Sequence, residues 1–198
     1  IHGCLVGSEM CIRDRILPEG ALSLICGGGH DLIDYVEQGD VVLFTGSADT
    51  ALKLKSNPRL LQTGINLNIE ADSLNLALLG KDVDVGSELF TAFINEVVTE
   101  MTVKAGQKCT AIRRILVPSG CTEEVSAALI ERLSKVNVGD PKADGVKMGP
   151  LVSKSQQLAA LEGIGVLASE AKIVFGGQKD FQPVGVDNLD ESCFVQPT

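Results

Sequence analysis

One cysteine in this chain is well suited to covalent chemistry. Cys109 lies in the decapeptide AGQKCTAIRR (105–114), where polar and small residues flank it in place of the apolar neighbours of a core cysteine. Lys108 precedes it directly, and a nearby cation favours the thiolate, which is the attacking form. The pattern therefore indicates a nucleophilic cysteine. An ordinary free cysteine explains the same residues equally well, so other parts of the sequence must decide.

An acid upstream is a candidate partner for this thiol. Residues 64–69 (GINLNI) alternate apolar and polar as a half-buried strand does, and residues 76–79 (LALL) form an apolar run typical of a fully buried strand. Glu70 lies between them, so we expect it to be partly buried, and desolvation makes a carboxylate a stronger base. The simpler alternative is that Glu70 or Asp72 only caps a turn.

Two glycine segments were considered as cofactor sites. Residues 27–29 (GGG) follow a predicted strand but lack the spacing of a dinucleotide fingerprint, so they indicate a tight turn. Gly46-Ser47 lies between a predicted strand and a predicted helix. A glycine permits close backbone approach, and a helix N-terminus offers N–H groups and a positive dipole to a diphosphate. This turn is the better candidate, although the same local structure is common without any ligand.

Composition narrows the function classes. The chain has 198 residues, is 44% hydrophobic and carries a net charge of −9. It can bury a core, lacks a run long enough to span a membrane, and lacks the basic surface that a nucleic-acid partner requires. We expect a cytoplasmic protein with reduced thiols, because the cysteines show no CxxC spacing and the two histidines cannot form a metal site. The cysteines are Cys4, Cys11, Cys26, Cys109, Cys121 and Cys193.

Alternating strand and helix signals predict an α/β fold. A helix at 31–37 is expected to begin with Asp31 as its N-cap. The other predicted strands are 21–26, 41–45 and 172–175, and the other predicted helices are 47–56, 88–104, one from Thr122 onward, and 153–169.

The first fifteen residues stand apart from this pattern. Residues 7–15 (GSEMCIRDR) have no apolar periodicity and match one reading frame of a transposon-end adapter used in sequencing libraries. We therefore expect residues 1–15 to be non-native and exclude them from the fold. A targeting peptide is the alternative, but Glu9 and Asp14 interrupt its apolar stretch.

Five landmarks together resemble the aldehyde dehydrogenase superfamily, and they occur in that family's order. They are LPEG (17–20), LFTGS (43–47), EADSLN (70–75), AGQKC (105–109) and FVQPT (194–198). The resemblance implies an aldehyde-dehydrogenase-like α/β fold. Residues 16–74 would be the C-terminal part of a Rossmann-type NAD(P)-binding domain and residues 75–198 the first part of the catalytic domain, with the crossing near Leu74.

The resemblance also assigns roles. It makes Cys109 the nucleophile and Glu70 the general base of an aldehyde oxidation through a thiohemiacetal and a thioester. The implied cofactor contacts are Thr45, Gly46, Ser47 and Ala71. The sequence departs from the family where a second glycine of the cofactor turn is usual, since Thr50 and Ala51 stand there.

The residues of two segments resemble those of a subgroup, the dehydrogenases that act on CoA-linked semialdehydes in bacterial phenylacetate and benzoyl-CoA breakdown. These segments are EADSLN and EMTVKAGQKCTAIRR, and Cys109 follows Glu70 by 39 residues, a longer spacing than in ordinary members. The resemblance implies a small CoA-linked aldehyde as substrate, NADP as cofactor with NAD as the alternative, and a homo-oligomeric parent protein. The phenylacetate enzyme carries a fused hydratase-like domain, so a similar fusion is an expectation here.

Two other function classes remain open. A thiol-dependent acyltransferase or hydrolase would need a histidine beside Cys109, and His30 is the only histidine outside residues 1–15. A non-catalytic α/β binding module would make Cys109 incidental. The family's amide oxyanion donor and its ribose-binding lysine and glutamate would lie outside this chain, so we expect the chain alone to be inactive.

Overall fold

The computed structural model of the chain describes residues 18, 20–23, 25, 29–177, 181–188 and 192–198. The proposed non-native tail at 1–15 lies outside the described residues, as do Leu17 and Glu19 of the first landmark and two residues of the glycine run. The chain divides into two compact units, Ile1–Asp72 and Ser73–Thr198. The predicted crossing near Leu74 lies close to this division, while the identity of each unit stays a prediction.

The first unit places a strand-turn-helix beside a second parallel strand. Its elements are a 3-10 helix at His30–Tyr35, β1 (Val41–Gly46), α1 (Ala48–Lys55), α2 (Pro58–Thr63) and β2 (Asn66–Ala71). β1 pairs with β2 in parallel, with Val41 opposite Asn66 and Gly46 opposite Ala71. Both strands therefore end at the same edge of the sheet, where α1 begins.

Local capping chemistry explains the helices of this unit. Ser47 is the N-cap of α1, and its hydroxyl accepts a hydrogen bond from the Thr50 amide. α2 begins with Asn57 as N-cap and Pro58 inside its first turn, and it ends at Gly64 in the left-handed region. The predicted role of Asp31 was wrong. Gly29 occupies the N-cap position of the 3-10 helix, and no side-chain bond caps it.

The second unit contains two further parallel strand pairs and three helices. Its elements are β3 (Leu76–Leu78), α3 (Glu88–Thr102), a 3-10 segment (Val103–Gly106), β4 (Arg114–Leu116), a 3-10 turn (Ser119–Cys121), α4 (Thr122–Leu133), β5 (Asn137–Val138), β6 (Val146–Met148) and α5 (Lys154–Ala168). β3 pairs with β4 and β5 with β6. The helices predicted at 88–104, from Thr122 and at 153–169 are confirmed, and Ser153 caps α5.

A buried face of α3 anchors the chain that leads to Cys109. Phe90, Ile94 and Val97 follow one another at helical spacing and are buried. Phe90 and Ile94 form a core cluster with Leu79, which follows β3, and Val125 of α4. Each such side chain contributes about 1.5–3 kcal/mol when it leaves water. The N-terminal half of α3 is therefore packed against the residue that follows β3 and against α4.

The structure differs from four predictions about strands, namely the burial of strand 76–79, the burial of strand 41–45, and the strands at 172–175 and at 21–26. The residues predicted to form a buried strand at 76–79 include Leu76 and Leu78, which are exposed, and Leu43 of β1 is 74% exposed. The described parallel sheets have only two strands each, whereas a fully buried parallel strand needs neighbours and both faces covered. Residues 172–175 form no strand, because no described segment pairs with them, and the described positions within 21–26 are likewise outside any strand. Within the described residues, no helix is long and apolar enough to cross a bilayer.

Candidate active site

The thiol of Cys109 is presented on a turn that leads into β4. The turn covers Cys109 and Thr110, and both residues are exposed. The free thiols of Cys121 and Cys193, by contrast, are partly buried. Exposure on a turn is compatible with a reactive thiol, and the role of Cys109 stays a prediction. Among the described residues, no group of three or more His, Cys, Asp or Glu side chains forms a metal site.

One side-chain amide donates hydrogen bonds to backbone carbonyl groups on both sides of this turn. Asn75, just before β3, donates from Nδ2 to the carbonyl oxygen of Cys109 at 2.7 Å and to that of Ala111 at 3.2 Å. The carbonyl of Asn75 itself accepts from the backbone amides of Arg113 at 2.9 Å and Arg114 at 3.1 Å. Asn75 therefore joins the start of β3 to the whole segment between the thiol and β4.

The chain approaches the thiol through three consecutive residues in the left-handed region. Lys104 has φ 53°, Ala105 has φ 54° and Gly106 has φ 70°. Outside glycine this conformation costs about 1–2 kcal/mol per residue, so the surrounding structure must impose it. Glycine suits the φ of residue 106, and an added Cβ there would also be crowded, at 3.3 Å from the Met101 carbonyl oxygen.

Two polar side chains stabilise this left-handed approach. Gln107 donates from Nε2 to the Lys104 carbonyl at 2.8 Å, and its Oε1 accepts from the Val152 amide at 2.9 Å. Arg113 donates from Nη2 to the carbonyl oxygens of Gly106 at 2.9 Å and Lys108 at 3.3 Å. The residues of the AGQKC segment and the arginine after it thus hold the backbone on the N-terminal side of the thiol.

The cation that precedes the thiol has another partner. The ammonium of Lys108 pairs with the Glu100 carboxylate on α3 at 2.5 Å, and the two side chains are 25% and 13% exposed. Such a pair in a half-buried position fixes the last turn of α3 to the nucleophile segment. The sequence indicated Lys108 as a cation serving Cys109, whereas the structure directs its charge to Glu100.

Glu70 is exposed, so the expectation of partial burial was wrong. The strand pattern explains this result. Along β2 the side chains alternate, with Leu67 and Ile69 half-buried and Asn66, Asn68 and Glu70 on the open face. Glu70 therefore shares its face with two polar residues, which the alternation in the sequence already contained. Its position at the end of β2, opposite Thr45 of β1, is as the parallel register requires.

The four residues predicted to contact a cofactor lie together. Thr45 and Gly46 end β1, Ala71 pairs with Gly46, and Ser47 caps α1. An added Cβ at Gly46 would lie 2.5 Å from Cζ of Phe44, so any larger residue there requires the Phe44 ring to move. An exposed glycine before a helix N-terminus fits the diphosphate of a dinucleotide.

An acid occupies part of this helix N-terminus. Asp72 accepts a hydrogen bond from the Ala48 amide at 3.1 Å through Oδ1, and its own amide donates to the Gly46 carbonyl at 3.1 Å. Its φ of 55° is in the left-handed region, where a glycine is usual and Asp is tolerated. The turn therefore offers fewer free donors to a diphosphate than the family resemblance implies, because the Ala48 amide already donates to the Asp72 carboxylate.

Sequence reasoning assigned no role to Asn75 or Glu100, whereas the alternative that Asp72 caps a turn agrees with its bond to the Ala48 amide. Asn75 carried a usable signal, because asparagine side chains readily hydrogen-bond to backbone groups near turns. The left-handed conformation of Asp72 is one that a short polar residue tolerates. The partner of Lys108 had no local signal, since it lies eight residues away across the end of α3.

Comparison with known proteins identifies relatives for nearly the whole chain. The profile described as "Aldehyde dehydrogenase family" matches residues 9–198, so the match begins inside the segment predicted to be non-native. A 3,4-dehydroadipyl-CoA semialdehyde dehydrogenase of Aromatoleum evansii is 51% identical over 187 residues, which cover 94% of this chain and 36% of that protein. A chloroplastic betaine aldehyde dehydrogenase of Amaranthus hypochondriacus is 30% identical, with 98% and 37% covered.

Solved structures with the same fold include betaine aldehyde dehydrogenases of Staphylococcus aureus. One, in complex with NAD+, superposes with a TM-score of 0.79 at 24% identity and covers 97% of this chain and 37% of that one. Another NAD+ complex reaches 0.67 at 25% identity, with 80% and 29% covered. The predicted aldehyde-dehydrogenase-like α/β fold is confirmed. The chain spans little more than a third of the length of the curated relatives.

Proposed function

The chain belongs to the aldehyde dehydrogenase family, and we propose that the longer protein containing it oxidises an aldehyde to a carboxylic acid through Cys109. The observation that carries this proposal is the exposed free thiol of Cys109 on a turn whose backbone is held on both sides. A nucleophile needs access to its substrate and a fixed direction of attack, and this turn supplies both.

In the proposed reaction the Cys109 thiolate adds to the aldehyde carbon and forms a thiohemiacetal. The backbone N–H of Cys109, with a side-chain amide from outside this chain, stabilises the oxyanion. When bound, NAD(P)+ supplies the two-electron acceptor for the hydride that leaves the thiohemiacetal carbon. Loss of that hydride leaves a thioester on Cys109, which water hydrolyses to the acid and the free thiol.

Glu70 is proposed to take the proton from the hydrolytic water. Its carboxylate is exposed at the end of β2, so it is open to water and is not committed to a buried ion pair. A positioned general base contributes about 10²–10⁴-fold to such a step. Asp72 is the less suitable acid, because its carboxylate already caps α1.

Thr45, Gly46, Ser47 and Ala71 are proposed to hold the cofactor at the edge of the β1–β2 sheet. They are adjacent through the register of the two strands, and α1 begins there. Relatives of this fold have been solved with NAD+. We propose NADP for this protein, from the subgroup resemblance, with NAD as the alternative.

The proposed substrate is a CoA-linked semialdehyde from aromatic-acid degradation. Its support is the relative with 51% identity, whose name is that of a CoA-linked semialdehyde dehydrogenase, together with the residues of the EADSLN segment. The parent protein is proposed to be a cytoplasmic homo-oligomer that can carry a hydratase-like domain. The chain alone is proposed to be inactive, because it spans about 36–37% of the length of its relatives.

Trapping the acyl intermediate tests this function. The full-length protein with Glu70→Gln would be mixed with a CoA-linked semialdehyde and NADP, then digested and analysed by mass spectrometry. We expect one acyl group, located on Cys109 and dependent on NADP. Acylation of Cys109 by the CoA thioester of the substrate in the absence of NADP would instead indicate an acyltransferase or hydrolase. The absence of acylation under both conditions would favour a binding module.

A further inference from the structure

We propose that Asn75 is the positioning residue for the Cys109 thiol, an inference that rests on the proposed role of Cys109 as nucleophile. Its amide donates to the carbonyl oxygens of Cys109 and Ala111, which lie on either side of Thr110. Among neutral side chains, only a carboxamide offers two N–H donors on one nitrogen together with an acceptor. Asn75 is therefore matched to a turn that presents two carbonyl groups side by side.

The hydrogen bond to the Cys109 carbonyl sets the orientation of the thiol. The carbonyl belongs to the peptide plane that follows Cα of Cys109, so fixing it fixes ψ of that residue and the frame from which Cβ and Sγ extend. Burial does not perform this task, because Cys109 and Thr110 are exposed. Ala111 is fully buried and gives the turn an anchor on its C-terminal side.

The same residue also closes the turn through its backbone. The Asn75 carbonyl accepts from the amides of Arg113 and Arg114, immediately before the β3–β4 pairing begins with Leu76 opposite Arg114. The backbone contact ties Asn75 to a strand pair, so the amide is directed at the turn from a rigid base. A reacting group displaced by about 1 Å loses on the order of 100-fold in rate, which sets the scale of the expected effect.

Three variants of the full-length protein test this role. Asn75→Ala removes both donors, Asn75→Asp keeps the shape but replaces the donors with acceptors, and Asn137→Ala is the matched control. Asn137 lies in the same unit and also donates from its amide to a backbone carbonyl, that of Gly145 at 3.3 Å, in a different strand pair. The first readout is the rate of the NADPH burst in rapid mixing, with KM and melting temperature measured in parallel.

We expect Asn75→Ala to lower the burst rate by about 10- to 100-fold, with KM and melting temperature changed no more than in Asn137→Ala. Asn75→Asp should be slower still at neutral pH, because a carboxylate facing two carbonyl oxygens is repelled by them. Its rate relative to Asn75→Ala should rise as pH falls, since a protonated carboxyl donates one hydrogen bond. A role in filling space alone predicts that Asn75→Asp behaves like the unchanged protein.

Hydrogen exchange supplies a readout that does not depend on catalysis. Losing the two bonds should accelerate exchange of the backbone amides at 109–112 by roughly tenfold, while Asn137→Ala leaves them unchanged. A normal burst in both Asn75 variants of an active, Cys109-dependent enzyme would overturn the positioning role and leave the function intact. If the unchanged protein oxidises no aldehyde, the proposed function is refuted. In that case, exchange rates at 109–112 that are the same in Asn75→Ala as in the unchanged protein would separately refute the positioning role. Should Asn75→Ala not fold, the near-isosteric Asn75→Asp carries both readouts.

Discussion

The nucleophile segment of this chain is held closed by its own side chains, whereas the cofactor turn is open. Around Cys109, side chains of Asn75 and Arg113 hold backbone carbonyl groups from two directions. At the other region, Gly46, Ser47 and Glu70 are exposed, and the contacts of Ser47 serve only to begin a helix. In the proposed reaction, the first region would present the thiol in a fixed conformation, and the second would present groups that the cofactor contacts.

This difference indicates which step of the proposed reaction is sensitive to substitutions that do not contact the substrate. Changes that loosen the contacts around the nucleophile segment should reduce attack at the aldehyde without touching the substrate. Changes at the open turn should alter binding of the cofactor or the hydrolytic step, because those residues have few internal contacts to lose. The following experiments test the contrast, beginning with the largest expected effect.

Replacing the nucleophile should separate chemistry from binding. Cys109→Ala in the full-length protein should abolish aldehyde oxidation while leaving the dissociation constant of NADP nearly unchanged, because only the covalent step is lost. Steady-state NADPH formation and a cofactor titration measure the two quantities. Cys193→Ala is the control, since that thiol is partly buried. Retention of more than a few percent of activity in Cys109→Ala would end its assignment as nucleophile.

Removing the proposed base should halt the reaction after one turnover. A neutral amide cannot take a proton from water, so Glu70→Gln should give a near-stoichiometric NADPH burst followed by steady-state turnover about 10²–10⁴-fold slower. The swap is nearly isosteric and the side chain is exposed, so folding should be preserved. Rapid mixing measures the burst, and Glu123→Gln on α4 is the control. Normal turnover would make Glu70 structural and Asp72 the next acid to examine.

A methyl group at the left-handed approach should destabilise the closed region. Gly106→Ala adds a Cβ at φ 70° and 3.3 Å from the Met101 carbonyl, so stability should fall by about 1–2 kcal/mol, with a lower melting temperature. Gly163→Ala is the matched control, because an added Cβ there meets nothing within 4 Å and α5 should gain up to about 1 kcal/mol. Thermal unfolding of both variants decides the point. Equal melting temperatures would mean that this backbone is not held as described.

The smallest effect is expected at the acid beside the open turn. Asp72→Asn keeps a capping oxygen for the Ala48 amide but removes a negative charge, so NADP should bind about two- to fivefold more tightly. The difference should shrink as salt is added. Asp40→Asn is the control, because Asp40 also accepts from a backbone amide, that of Glu37, in the same unit. Weaker binding in Asp72→Asn would mean that its carboxylate supports the cofactor turn.

The sequence was sufficient for the elements that carry strong local signals. Ser47 and Ser153 were predicted as helix starts and are N-caps in the structure, since a hydroxyl at that position satisfies a free amide. The exposure of Cys109 is consistent with the polar and small residues that flank it. These predictions depend on interactions within a few residues, which a single sequence displays directly.

The failures share a different cause. The strand predicted at 172–175 has the right residues, but no segment in the described part of the chain pairs with it, and the apolar runs at β1 and β3 are not covered by described layers. Lys108 was assigned to the thiol because it is adjacent in sequence, while its actual partner Glu100 lies across the end of a helix. Pairing and burial are properties of the assembled structure, so apolar composition or adjacency alone does not determine them.

The 34 residues that separate Asn75 from Cys109 bear on how this region folds. The closing of a loop of that length has an entropic cost that grows with the logarithm of its length, and α3 lies within that loop. The geometry of the thiol therefore depends on a non-local contact and not on its neighbours in sequence alone. A chain newly made or partly unfolded would carry Cys109 as an ordinary flexible thiol, and the oriented nucleophile would arise only with the completed unit.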